Sequence, residues 1–210
     1  QWSSSAASDV YKRQFLSLPA TIGLMIGSKE IISALFGYGS FDHISVINSS
    51  KALYYFGFGL PAFALIKVFS SFFFANHDTK TPFYISFISV LVNIFISLYY
   101  FRDFGFIIIP IATSISSWFN AIVLFLFLKY QNLFSFNNVF IIRFFKILFA
   151  SVVMGIFFKY LITIFQMNLL YTSNLKLFYL ILIVLMSSLF YFCTSFLIRA
   201  FNSNDLKLKY

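Results

Sequence analysis

The chain has 210 residues, of which 60% are hydrophobic, 23% aromatic and 10% charged, whereas about a quarter of the residues in soluble domains are charged. So few charges cannot clothe a water-soluble surface, and a length divided into spans of roughly 20 apolar residues allows about six membrane helices. The formal charge of +9 arises from 15 Lys and Arg against 6 Asp and Glu, scattered between apolar blocks rather than clustered, which argues against nucleic acid and for a membrane with anionic lipids.

The first fourteen residues, QWSSSAASDVYKRQ, are polar and unlike the remainder of the chain. They lack the apolar region of a signal peptide and resemble translated adapter sequence at the ends of assembled reads. The expectation is that 1–14 is a non-native or disordered leader. Next, 15–36 is apolar but interrupted by Ser28, Lys29 and Glu30, which predicts a broken span or a span followed by an interfacial helix. Five further runs at 53–75, 83–101, 106–128, 141–164 and 177–200 are each long enough to cross a bilayer. Because lipid leaves the backbone to satisfy its own hydrogen bonds, the predicted class is an all-α, polytopic transmembrane helix bundle of about six helices. Four spans fall in 15–130; two more and a short tail fall in 131–210.

The predicted connections are 37–50, 76–82, 102–105, 129–139 and 166–176. One side of the membrane then holds Lys80, Lys129, Arg143, Lys146, Arg199, Lys207 and Lys209, the other Lys51, Arg102, Lys159 and Lys176. The positive-inside rule makes the first side cytoplasmic and puts the C-terminus there. The single Cys193 sits in an apolar run and reads as a small core residue.

The polar residues inside the spans carry most information, because an unpaired polar group in hydrocarbon is costly and faces protein or water. Ser86, Ser89, Asn93 and Ser97 draw a stripe down the third span. Thr113, Ser116, Ser117 and Asn120 draw another on the fourth, with Pro110 a turn above Thr113 predicting a kink. Two readings stand: the stripes bond each other as packing glue, or their hard neutral oxygens line a path for an alkali cation or a substrate. Lys67 is the charge placed most deeply in a span, and either lines a cavity or snorkels to the interface. There is no phosphate-binding glycine loop, no paired acidic motif and no Cys and His cluster. His43 and His77 fall in predicted loops. No buried general acid or base can be named, so an enzyme is not expected.

The stretch GLPAFALIKVFSSFFFANHDTKTPF at 59–83, with SLPATIGL at 17–24, ALFGYGSFD at 34–42 and GFIIIPIATSISSWFNA at 105–121, resembles the MurJ (MviN) family of lipid II flippases in the multidrug, oligosaccharidyl-lipid and polysaccharide exporter superfamily. The resemblance implies a flippase of the bacterial inner membrane that moves the undecaprenyl-linked peptidoglycan precursor to the periplasmic leaflet by alternating access between two helical lobes, for cell wall biogenesis. Family members have fourteen spans, and this chain looks like the last six, the C-terminal lobe of a MATE-like fold. The final pair then corresponds to helices lining a groove for the lipid tail. The family's sodium site maps onto Asn93 (amide), Thr113 (hydroxyl) and Ile109 (backbone carbonyl), with Ser97 where the family has a carboxylate. That departure removes a negative charge and implies weaker cation affinity or the loss of the site. Lys67 and Asn120 are the candidate cavity residues. Ser71 stands where relatives often carry Pro. A further cation ligand and the arginines that hold the pyrophosphate belong to an N-terminal lobe, the implied partner alongside lipid II and membrane lipids. No cofactor is expected beyond Na+ as a coupling ion. The alternatives are a related polysaccharide-lipid or multidrug exporter and a non-transporting scaffold subunit.

Overall fold

Apolar runs that must bond their own backbones in lipid are expected to form helices, and in the computed structural model every regular element among the described residues, 2–131 and 138–199, is helical. In chain order these are α1 (Trp2–Ile26), α2 (Ser28–Phe36), α3 (His43–Ala75), α4 (Lys80–Phe104), a 3-10 turn at Gly105–Ile107, α5 (Ile108–Tyr130), α6 (Asn138–Ile164) and α7 (Lys176–Leu197). Helix α1 takes in most of the segment that the sequence sets apart as a leader. Gln14, the last residue of that segment, is buried and its amide donates to the Pro61 carbonyl at 3.2 Å. The tail, with Lys207 and Lys209, lies outside the described residues.

Helices α3, α6 and α7 each contain a stretch long and apolar enough to cross a membrane. The helical stretch Lys80–Tyr130 qualifies as one run of 51 residues. At 1.5 Å per residue it would measure about 75 Å, more than twice the hydrocarbon core. It is two spans, because α4 and α5 pack on each other as an antiparallel hairpin. The turn rests on Gly105, whose φ of +60° is left-handed and open to glycine without strain. The pair Arg13–Ile26 and Ser28–Phe36 qualifies only together and is bent by 78° at Gly27, the broken arrangement that Ser28, Lys29 and Glu30 foreshadow. A Cβ at Gly27 would meet the Phe158 ring of α6 at 2.7 Å, so the break is also a point of close approach.

Three expectations need correction. The segment 37–50 is not all connection: α3 starts ten residues before the apolar run, because Asp42 caps it, its carboxylate accepting from the Ser45 amide at 2.8 Å. Pro110 does not kink a span. It sits in the first turn of α5, where no intrahelical donor is required and a fixed φ costs nothing. Cys193 is exposed rather than in the core, on a face of α7 that also exposes Phe192 and Leu189.

In cross-section the helices follow the order α4, α5, α3, α1, α6, α7, with α2 folded across α3 and α7. Thus α3, central to the bundle, packs on α1, α5 and α2, and α4 leans chiefly on α5. The main core joins six helices through Phe15, Phe69, Phe73, Ile85, Leu124, Ile147 and Tyr191. A second cluster, built on Ala34, Phe158, Leu180 and Ile183, fills the end of the bundle under α2. Close helix contact depends on small residues. A Cβ at Gly155 would strike Ile22 of α1, so only glycine lets α6 approach there. Large apolar side chains including Phe87, Phe95, Leu98 and Leu189 point outward, as they do when the surrounding solvent is lipid.

Candidate functional site

The residues of the two sequence stripes meet in the α4–α5 hairpin. Asn93, half-buried on α4, donates through Nδ2 to Thr113 Oγ1 at 3.1 Å and to Ser116 Oγ at 3.2 Å on α5. Two turns earlier on α4, Ser86 meets Asn120, two turns later on α5, with Asn120 Nδ2 donating at 3.3 Å. That pairing is the register of an antiparallel helix pair at 3.6 residues per turn. Ser97 Oγ donates to Asn93 Oδ1 at 3.4 Å, and Thr113 Oγ1 donates to the Ile109 carbonyl at 2.8 Å. Asn93, Ser97, Thr113 and Ile109 therefore form one hydrogen-bonded chain, and their four oxygens are hard, neutral donors of the kind that suits an alkali cation rather than a soft metal.

The rest of the seam is drier. Ser89, Ser116 and Ser117 are buried and return their hydroxyls to carbonyls three or four residues earlier on their own helices. Asn120 is buried, and its Oδ1 has no partner among the described residues. Lys67 is exposed on α3 and takes no part in this network. Ser71 donates to the Val68 carbonyl at 2.6 Å, so it stays within the local helical hydrogen-bond pattern where a proline would remove a donor.

Two side chains anchor α5 to α3 beside the seam. Ser114 donates to the Tyr55 carbonyl at 2.6 Å and Trp118 Nε1 to the Phe58 carbonyl at 2.9 Å. Both carbonyls belong to the turns of α3 that precede Pro61, whose missing donor frees the Gly57 carbonyl between them. A Cβ at Gly59 would come within 3.1 Å of Ser114 Oγ, so glycine makes this contact possible.

On the opposite side of the bundle, α1, α6 and α7 line a half-open apolar cavity of 440 Å³, with Pro19, Gly23, Met154, Phe158, Ser187 and Tyr191 among its walls. Tyr191 closes one side by donating to the Phe15 carbonyl at 2.7 Å. Sequence reading missed both this bond and the Lys176 contacts. Lys176 is almost fully buried, its ammonium donating to the carbonyls of Gly37 at 2.6 Å and Tyr171 at 2.8 Å under the rings of Tyr38 and Tyr171. A lysine flanked by apolar residues at a predicted loop edge carried no signal of that cage.

Two aspartates outside the spans have lowered pKa values. Asp42 is held below the usual carboxylate range by hydrogen bonds from the Ser45 side chain and amide. Asp78 is held down in the same way by the Thr81 side chain and amide, the latter at 3.0 Å, at the start of α4. Both act as helix N-terminal acceptors.

These features define a polytopic α-helical membrane protein whose polar intramembrane groups converge in one hairpin and whose last two spans flank an apolar cavity. The family model described as lipid II flippase MurJ matches residues 10–201. A probable lipid II flippase MurJ of Thermotoga maritima is 38% identical over 146 residues, 70% of this chain and 29% of the relative. One of Rickettsia prowazekii is 39% identical over 105 residues, 50% of this chain and 21% of the relative. A solved structure described as lipid II flippase MurJ in an inward closed conformation superposes with a TM-score of 0.70 at 25% identity, covering 95% of this chain and 43% of that one. The chain belongs to the MurJ lipid II flippase family. It spans between 21% and 29% of the length of those two curated relatives.

Proposed function

We propose that this chain forms part of a lipid II flippase of the bacterial inner membrane, its helices supplying one lobe of a bundle that moves the undecaprenyl-linked precursor between leaflets by alternating access. The observation that carries this reading is the family match over 10–201. The apolar cavity between α1, α6 and α7 suits a prenyl tail, because an apolar chain there exchanges hydrocarbon for hydrocarbon while its polar head stays outside. Orientation follows the positive-inside rule, with the ends of α3, α5 and α7 cytoplasmic. Pyrophosphate-holding arginines belong to the second lobe.

Asn93, Ser97, Ile109 and Thr113 are the residues that would hold a coupling cation, supplying oxygen ligands, with Na+ the fitting ion. With no carboxylate among them, the positive charge is balanced only by dipoles, so affinity is weak. Lys67, exposed on α3, and Asn120, whose carbonyl oxygen has no partner among the described residues, are the candidate cavity contacts.

The test is complementation: the full-length gene encoding this chain is expressed in cells depleted of their own flippase. Restored growth and precursor translocation are expected. Membrane insertion without rescue would overturn the reading.

A further inference from the structure

Helix α2 walls one end of the apolar cavity and is fixed at both of its own ends. At its start the chain turns through 78° from α1 at Gly27, packed against the Phe158 ring. Along its length Ile31 lines the cavity, and Ala34 packs in one cluster with Leu180 and Ile183 of α7. At its end Gly37 turns so tightly that a Cβ would stand 2.5 Å from the Ser33 carbonyl oxygen.

Among the described residues, the hydrogen bonds that tie the segment 28–41 to another element come from the α6–α7 turn and the first residue of α7. Tyr171 donates its hydroxyl to the Phe41 carbonyl at 2.9 Å, and Lys176 donates to the Gly37 carbonyl at 2.6 Å. Lys176 is 1% exposed, and its ammonium meets the Gly37 and Tyr171 carbonyls and the faces of the Tyr38 and Tyr171 rings, at 4.1 and 4.7 Å.

A buried ammonium is costly unless its donors are met. One of its two carbonyls and one of its two rings belong to the residues that end α2, so a swing of α2 away from α7 takes half of the cage with it. The closed position of α2 is therefore the one in which Lys176 can stay dry. Because Lys176 begins its span, its long stem can instead carry the ammonium to water at the interface once the cage parts.

We propose that Lys176 is a positioning residue for the lipid tail: its clasp on Gly37 holds α2 closed over one end of the cavity, and release of the ammonium to water opens that end. The proposal rests on the reading of the cavity as a tail site. Lys176 acts through Ile31, which lines the cavity, rather than by touching the tail.

The test uses the full-length protein in lipid vesicles. Ile31→Cys is labelled with N-ethylmaleimide, and modification is read by mass spectrometry at residue 31 and at the exposed Cys193. Adding Lys176→Met should speed labelling at residue 31 several-fold and leave Cys193 unchanged. An unchanged rate at residue 31 overturns the proposal, and so does an equal rise at both sites, which marks a loosened bundle rather than a parted clasp. Tyr38→Leu covers the case in which Lys176→Met does not fold: it removes one ring of the cage from a half-exposed position, keeps the ammonium, and should accelerate labelling at residue 31 in the same way. In transport, Lys176→Met should raise KM several-fold for a full-length polyprenyl substrate with kcat retained, and leave a short-tailed analogue unaffected. An equal effect on both tails overturns the positioning role. The tail reading fails separately: a long-chain polyprenyl phosphate that gives residue 31 no protection while Lys176 is intact removes the tail from the cavity, whereas the labelling rates without that lipid decide the clasp.

Discussion

Asn93 is the residue on which the hairpin seam turns, since its amide spans from Thr113 to Ser116 while its carbonyl oxygen accepts from Ser97. Replacing both Asn93 and Thr113, as Asn93→Leu with Thr113→Val, should abolish any sodium dependence of transport, read as flipping rate against sodium concentration. An unchanged response would leave the seam as packing. Ser97→Asp should act in the opposite direction, since a carboxylate beside the same oxygens tightens cation binding by about tenfold or more, about 1.4 kcal/mol. Sodium titration of transport checks this. The two lowered aspartates make a pH prediction. A carboxylate whose folded pKa is depressed stabilises the fold fully above its ordinary value and loses that contribution as pH falls through the lowered one. The starts of α3 and α4 should therefore loosen only in acid, below about pH 4. Protection of the Ser45 and Thr81 amides against exchange should fall there relative to their neighbours, and Asp78→Asn should remove the pH dependence at Thr81.

Among the elements, α6 is placed by contact rather than by polarity. Gly155 lets it close onto Ile22 and Ile26 of α1, and a Cβ there has no room. Gly155→Val should push α6 from α1 and destabilise the protein by about 1–3 kcal/mol, measurable as a lowered midpoint of thermal unfolding in detergent. Pro110, by contrast, lies in the first turn of α5, so Pro110→Ala should leave stability within about 0.5 kcal/mol. The element boundaries show what sequence could and could not yield. Apolar length located all the long spans, because each helix must cover the same hydrocarbon thickness. It misplaced the start of α3, because the first turns of that helix are polar and are set by the Asp42 cap, which was legible in the Asp42 and Ser45 spacing.

For the whole molecule, the order α4, α5, α3, α1, α6, α7 separates two surfaces, the polar hairpin seam at one side and the apolar α1–α6–α7 cavity at the other. If the seam couples a cation and the cavity takes a lipid tail, substitutions on the two sides should affect transport differently. Gly23→Leu, filling the cavity wall where a Cβ meets nothing within 4 Å, should weaken handling of the polyprenyl substrate without altering sodium response. Lys67→Met should impair translocation if the charge faces the transport path in the full assembly, and normal activity would support snorkelling.

The sequence by itself determined the solvent, the helical class, the long apolar runs and, through the 59–83 and 105–121 stretches, the family. These follow from composition and from local period, which each segment carries alone. It also drew the stripes on α4 and α5, since polar residues three and four apart share a helix face. Only the tertiary structure decided that Asn93 meets Thr113 and Ser116 while Ser89 and Ser117 bond their own helices. The same holds for the burial of Lys176 against carbonyls and rings from two separate turns, and for the pairing of α1 with α6 through Gly155. The reason is physical: apolar faces are interchangeable in lipid, so hydropathy places a helix in the membrane and leaves its neighbours to be chosen by close packing and by where each polar group finds its partner.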